Sequence, residues 1–324
     1  MNDLLRIHKA LADETRLRLA GILRRHELNV GELVAVLGMG QPRISRHLKI
    51  LVEAGLVDCR REGLWAFYSA AATGPGRQVL DCTAALMDSA DVASGLAPDL
   101  AAEFSADLER AEAAVRERVQ ATRRFFDAVA GHWRDLSREV LGELDLAGEI
   151  ARRVPEGASV ADLGCGPGEL LERLRQRACL VIGVDNSPRM LELAATRLNG
   201  NAKGGSASGC ASVSLRLGDL THLPLREGEV QAVVLSMVVH HLPDPVAALA
   251  EARRVLCPGG LLIIADFDRH ENEAMRVQYG DARLGLDQRA LRSWLIEAGF
   301  EPGPVELYPV NQGLVVLLAT AARP

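Results

Sequence analysis

Aromatic residues are scarce in this chain: six Phe, three Trp and three Tyr make up 4% of its 324 residues. Any core must therefore be packed with aliphatic side chains, and 48% hydrophobic against 25% charged residues is enough to build one, which excludes wholesale disorder. No stretch approaches the roughly 18 uninterrupted apolar residues of a membrane span, so no membrane partner is expected. The opening MNDLLRIHKALADETR places charges where a secretory leader needs its apolar stretch, and a cytoplasmic location is expected. The six cysteines (Cys59, Cys82, Cys165, Cys179, Cys210 and Cys257) form no C-x-x-C or C-x-C pair. A thiolate metal cluster or redox couple of that spacing is excluded, and they read as separate reduced thiols.

What is present divides by length and charge. At roughly 150 residues per domain the chain accommodates about two domains. The net charge of −6 hides a split: residues 1–72 hold 11 Lys+Arg against 8 Asp+Glu, whereas the remainder holds 26 against 35. A mildly basic front on an acidic body points to a polyanionic partner for the front alone.

From Leu4 to Ala70, apolar residues recur at helical spacing in short segments broken at Asn29–Gly31 and Gly38–Gly40. Asp13 can cap one helix, a second runs from about Gly31 to Leu37, and a third starts at Gln41-Pro42 and ends at Gly55. LVDCRREGLWAFYSA then reads as a hairpin around Glu62-Gly63. Helix, tight turn, helix and hairpin make a winged helix-turn-helix. A helix that reads DNA must show donors and cations on one face while the other packs. In QPRISRHLKILVEAG, Ile44, Leu48, Leu51 and Val52 form the apolar stripe, and Gln41, Arg43, Ser45, Arg46, His47 and Lys49 fill the exposed faces. The wing offers Arg60 and Arg61. A winged domain that docks only on protein would show much the same pattern.

Residues 77–96 read as a further helix ended by a Gly-Leu-Ala-Pro break. From Asp99 to about Leu136, apolar residues from Leu100 to Trp133 fall three, four or seven apart, which predicts one long helix or two in line. That face can be a coiled-coil dimer seam or pack on its own chain.

Beyond Pro155, strands alternate with helices, the pattern of a parallel α/β sheet, and VELYPVNQGLVVLLATAA closes it as two strands joined near Asn311–Gly313. Residues 200–212 read as Gly/Ser-rich filler. SVADL runs into Gly164-Cys165-Gly166-Pro167-Gly168, where absent side chains let backbone approach a ligand, and Asp185 closes the next strand, placed to accept ribose hydroxyls. Those two features also fit a dinucleotide-binding fold.

Residues 7–70, through LADETRLRLAGIL, QPRISRHLKILVEAGLV and RREGLWAFYSA, resemble the ArsR/SmtB family of dimeric bacterial repressors. Several members sense metals through cysteines before the turn, but LNVGELV has no thiol, and Asp81, Asp88 and Asp91 have no histidine beside them, so no metal site is expected. From about residue 125 onward, Asp162, the glycine loop, Gly218-Asp219-Leu220, LPL at 223–225 and EARRVLCPGG at 251–260 resemble, in that order, class I S-adenosylmethionine-dependent methyltransferases. That resemblance sets Gly164, Gly166 and Gly168 beside the methionine part of S-adenosylmethionine, or of S-adenosylhomocysteine as ligand, and Asp162 near its amino group. It gives Asp185 the ribose, Asn186 and Met190 the adenine, Asp219 and Leu220 the adenine's amino edge, and Ser236 a main-chain contact.

His240 and His241, after the fourth strand, are the candidate catalytic bases near neutral pH. Asp266, His270 and Tyr279 are expected over the pocket mouth. The lack of a multi-cysteine site argues against arsenite methylation.

The expected architecture is a mainly α winged helix-turn-helix domain (1–72), a helical dimerisation or linker segment (73–135), and a doubly wound Rossmann-like α/β domain with a terminal antiparallel hairpin (136–324). The resemblance implies a homodimeric regulator that binds a double-stranded DNA operator and senses the cofactor. The alternative is an enzyme acting on an unknown small-molecule methyl acceptor, with the front domain autoregulatory or dimerising.

Overall fold

The computed structural model describes the chain apart from residues 1, 63–64, 89–97, 201–210 and 280. It divides into two compact units, Met1–Gln120 and Ala121–Pro324. Of the segment 73–135, residues up to 120 fall in the first unit and the others in the second.

The first unit contains α1 (Asn2–Leu11), α2 (Glu14–Arg25), β1 (Leu28–Asn29), α3 (Val30–Leu37), α4 (Gln41–Glu53), β2 (Val57–Glu62), β3 (Trp65–Ala70), α5 (Gly74–Asp88) and most of α6 (Pro98–Val129). Local chemistry sets the boundaries. The Asp13 side chain accepts from the Arg16 amide at 3.0 Å at the start of α2. Asn29 and Glu32 form a reciprocal capping box on α3, and Gly38, in the left-handed region at φ 65°, ends it. The β2–β3 hairpin forms as expected, although its tip lies outside the described residues, as does the break between α5 and α6. β1 adds a third strand on β3 that the sequence reading missed, because two residues are too few to show an alternation.

Leu19, Ile22, Leu23, Leu33, Ile44, Leu48 and Leu51 make the core of this unit. Val52, expected in the buried stripe, is 36% exposed. It follows Leu51 by only 100° around the helix and so turns off the packed face. On α6, Ala111 is buried in this core with Leu108 and Val115 against it, so this part of the helix packs on its own chain. A buried ion pair fixes the contact: Arg18 donates to both oxygens of Asp107, Nε to Oδ2 at 2.6 Å and Nη2 to Oδ1 at 3.0 Å.

The second unit adds α7 (Trp133–Leu141), α8 (Leu146–Arg153), β4 (Ser159–Leu163), α9 (Glu169–Leu174), β5 (Leu180–Asp185), α10 (Pro188–Gly200), β6 (Ser212–Leu217), β7 (Val230–Ser236), α11 (Pro245–Val255), β8 (Leu256–Phe267), α12 (Ala274–Gln278), α13 (Gln288–Glu297), β9 (Glu301–Pro309) and β10 (Val315–Ala322). The long helical stretch foreseen from Asp99 is therefore two helices, joined by a 3-10 turn at Ala130–His132. Most of the 200–212 loop lies outside the described residues.

One seven-stranded sheet runs β6-β5-β4-β7-β8-β10-β9, with β6, β5, β4, β7 and β8 parallel and β10 antiparallel to both neighbours. Two aliphatic layers cover its faces. One holds Ala248, Leu249 and Ala252 of α11 with Leu291 and Leu295 of α13. The other holds Ile150 of α8, Leu170, Leu171 and Leu174 of α9 and Ala194 of α10. Because β4 pairs β5 on one side and β7 on the other, the chain reverses its winding there. The carboxyl ends of β4 and β7 therefore open a crevice, where doubly wound sheets bind ligands.

Candidate functional site

The crevice is built from backbone. Gly164, Gly166 and Gly168 all take positive φ, at 78°, 50° and 81°. At Gly164 a Cβ would come 2.5 Å from Val238 Cγ2, so a side chain is excluded by space as well as by torsion. The amides of Gly164 and Cys165 donate to the Val184 carbonyl at 2.8 and 3.0 Å, tying the loop to the end of β5. Asp185 completes the tie by accepting from the Gly166 amide and the Ser187 amide, each at 2.9 Å. The Asn186 amide also acts on this carboxylate, whose two oxygens still keep acceptor capacity for hydroxyl donors. Burial raises the Asp185 carboxyl's pKa, and the amide bonds oppose that rise.

Asp162 has no such compensation. It is 1% exposed, and neither carboxylate oxygen has a hydrogen-bond partner. Burial, reinforced by the Asp185 charge, pushes its carboxyl up to about 7. A buried acceptor pair without donors is costly, and it fits a site that receives a cationic or donor group from a ligand. Met190 is buried at the first turn of α10 and Asn186 is exposed before it. Leu220 is buried, while Asp219 is exposed and accepts from the Thr221 amide and hydroxyl at 2.8 and 2.7 Å. Ser236 ends β7, and the next residue, Met237, is held at φ 55° with its amide donating to Ala265 O at 2.7 Å. The sequence reading missed Ser187, whose hydroxyl donates to Asp127 and accepts from the Met190 amide at 3.0 Å. Its place just before Pro188 and a helix was the available signal.

The histidines differ from expectation. His240 is 2% exposed and held between two buried carboxylates, with Nδ1 2.5 Å from Asp266 Oδ1 and Nε2 3.4 Å from Asp281 Oδ1. Burial works against a charged imidazole here, but the two aspartates more than offset it and hold the ring up at about 10. With a carboxylate against each ring nitrogen, the arrangement favours the protonated ring and so works against His240 as a base. The His241 ring lies tilted by 50° against that of His240, centroids 3.9 Å apart, and meets Phe126 edge-on at 4.8 Å. Asp266 and Tyr279 are buried and His270 is partly buried, so this trio packs inside the unit rather than spanning a mouth. Asp266 accepts from the amides of His240 and Phe267, the latter at 2.7 Å. Asp281, which no sequence pattern singled out, joins the cluster with Oδ2 buried and unpartnered. His240, His241 and Asp281 place potential metal-ligand atoms within 4.8 Å of one another, which the expectation of no metal site did not anticipate.

In the first unit, Gln41, Arg43, Ser45, Arg46 and Lys49 are exposed along α4 as expected, and Arg61 is exposed on the wing. Two residues are diverted. His47 is only partly exposed and lies 3.6 Å from Asp13, so it faces the start of α2. Arg60 forms a two-pronged pair with Glu27 at 2.9 and 2.8 Å and lies over the Phe67 ring, which makes it part of the wing's scaffold.

Sheet order and crevice define the second unit as a Rossmann-like methyltransferase fold, and the first unit as a winged helix-turn-helix. Comparison with known proteins agrees: residues 161–264 match the family model described as methyltransferase domain, and residues 13–58 the one described as bacterial regulatory protein, arsR family. The chain is thus similar to the arsR family over its helix-turn-helix and to the methyltransferase domain over the sheet that carries the crevice. It is 48% identical over 63 residues to the arsenic resistance transcriptional regulator ArsR1 of Pseudomonas putida, a match covering 19% of this chain and 49% of that protein. It is 34% identical over 162 residues to an uncharacterized 37.1 kDa protein in a transposon of Streptomyces fradiae, covering 44% of each. These matches span about half the length of the curated relatives. The (4+2)-cyclase SpnF shares the fold at TM-score 0.52 and 18% identity, over 62% of this chain and 94% of that one. Among the described residues no helix is long and apolar enough to cross a membrane.

Proposed function

We propose that this chain is a homodimeric cytoplasmic transcriptional regulator of ArsR type that binds a double-stranded DNA operator and carries S-adenosylmethionine, or S-adenosylhomocysteine, as its effector. The observation that carries the reading is the donor-less Asp162 carboxylate beside three positive-φ glycines and Asp185 at the switch point of the sheet. Asp162 would hold the amino group, the glycine backbone the methionine chain, and Asp185 the two ribose hydroxyls. Asn186, Met190, Leu220 and Asp219 would enclose the adenine, with Ser236 closing the site through its main chain. When bound, S-adenosylmethionine supplies a methyl group activated by its sulfonium. In the first unit Arg43, Arg46 and Gln41 are suited to base edges, with Lys49 and Arg61 suited to phosphates.

An effector shifts DNA affinity only by binding one state of the regulator better than the other. Fluorescence anisotropy with operator DNA at fixed salt, with and without each nucleoside, tests this. Separated curves are expected, and superimposed curves would refute the sensor role.

The intact crevice favours a second reading, because the three positive-φ glycines, Asp162 and Asp185 are all in place for a cofactor that carries a reactive methyl group. In that reading the unit is also an active enzyme on a small-molecule acceptor. Transfer of labelled methyl groups to an extracted metabolite is its expected sign, and background counts alone would exclude it.

A further inference from the structure

The His240 cluster has the construction of a metal centre. In a metal-bound histidine one ring nitrogen ligates and the other donates to a carboxylate that fixes the ring's tautomer and angle. His240 has that support in place. Its Nδ1 is backed by Asp266 Oδ1 at 2.5 Å, and Asp266 is itself anchored by the amides of His240 and Phe267. The opposite nitrogen, Nε2, points at Asp281 Oδ1 at 3.4 Å, a separation common between two ligands of one ion. The His241 ring lies tilted against that of His240 with centroids 3.9 Å apart, and His240, His241 and Asp281 hold their ligand atoms within 4.8 Å of one another. One fact remains unexplained by these contacts: Asp281 Oδ2 is buried without a hydrogen-bond partner. A divalent cation answers it, because it supplies a partner for the Asp281 carboxylate.

We infer that His240 Nε2, a ring nitrogen of His241 and the Asp281 carboxylate bind a divalent first-row transition metal, with Asp266 as the positioning residue behind His240. Two imidazoles and one carboxylate are the donor set of zinc, cobalt and iron(II), not of magnesium or calcium. On loading, the metal–Nε2 bond replaces the Nε2–H bond and the proton leaves to solvent, so the ring becomes neutral without change of oxidation state. Three protein ligands leave a coordination position open, as in catalytic rather than structural sites. The inference does not depend on what the glycine-lined crevice binds.

The test uses the full chain, stripped with chelator and titrated with Co(II) and then Zn(II). One ion per chain and a visible absorption band of low-coordinate Co(II), bleached by Zn(II), are expected. His241→Ala and Asp281→Asn should abolish the band, and Asp266→Asn should weaken affinity by about 10- to 100-fold. X-ray absorption of the zinc-loaded wild-type chain should show nitrogen and oxygen neighbours with an imidazole signature. Absence of stoichiometric binding, sulfur in the coordination shell, or unchanged affinity in both His241→Ala and Asp281→Asn would overturn the assignment. The spectroscopic arm holds even where a variant fails to fold.

Discussion

The Asp162 carboxyl makes cofactor binding depend on pH in a calculable way. Burial holds it up at about 7, far above the usual carboxylate range. If the ionised form receives the cofactor's ammonium, affinity follows the ionised fraction. That fraction is about 3% at pH 5.5 and about half at pH 7, so binding should tighten about sixteenfold, or about 1.6 kcal/mol at 1.36 kcal/mol per pKa unit. The sign of the stability effect is opposite. The folded state holds a proton that the unfolded chain has released, so the ligand-free unit should lose stability as pH rises from about 4 to 7, and cofactor should restore it. Calorimetric titration with S-adenosylhomocysteine at several pH values, in buffers of different ionisation enthalpy, measures both affinity and the roughly half proton released at pH 7. Asp162→Asn should bind more weakly and lose most of the slope. A flat profile in the wild type, or the same slope in Asp162→Asn, would refute the assignment of the amino group to this carboxylate.

Three further outcomes follow from the geometry. Gly164→Ala and Gly157→Ala both force a positive-φ residue to carry a Cβ, at about 1–2 kcal/mol each, but only Gly164 faces Val238 in the crevice while Gly157 has open space. Thermal melts should drop in both, and cofactor affinity should fall only in Gly164→Ala. Asp107→Ala leaves Arg18 only the exposed Glu103, whose Oε2 accepts from Nη1 at 2.8 Å, and should cost the first unit about 2–3 kcal/mol, read as faster hydrogen exchange confined to residues 1–120. Arg46→Ala should weaken operator binding by about 1–3 kcal/mol if it reads a base. Arg60→Ala should instead lower stability, because it abandons Glu27, and a larger loss of DNA affinity than in Arg46→Ala would reverse these roles.

Elements whose signal repeats along the chain were legible in the sequence: the glycine loop after β4, the alternation of strands and helices, the capped helices around the turn, and the closing hairpin. What escaped notice depends on partners far apart in sequence. Arg60 looks like a free wing cation until Glu27, 33 residues earlier, closes on it. His240 looks like a neutral base until Asp266 and Asp281, from the end of β8 and the chain after α12, enclose it. Val52 was misassigned because a helical stripe is narrower than the run of apolar letters that marks it. Asp281 had no local pattern, since its place is set by the fold around it.

The cradle at Gly164, Gly166 and Gly168 owes its shape to missing atoms, whereas the cluster at His240 owes its properties to atoms present. The two will therefore fail in opposite ways under random mutation. Lesions at the first will be gains of bulk, almost regardless of which residue arrives, and trimming side chains to alanine cannot find them. Lesions at the second will be losses, and conservative shrinkage will expose them. A saturation screen sorted by side-chain volume would draw the border between the two without any ligand in hand.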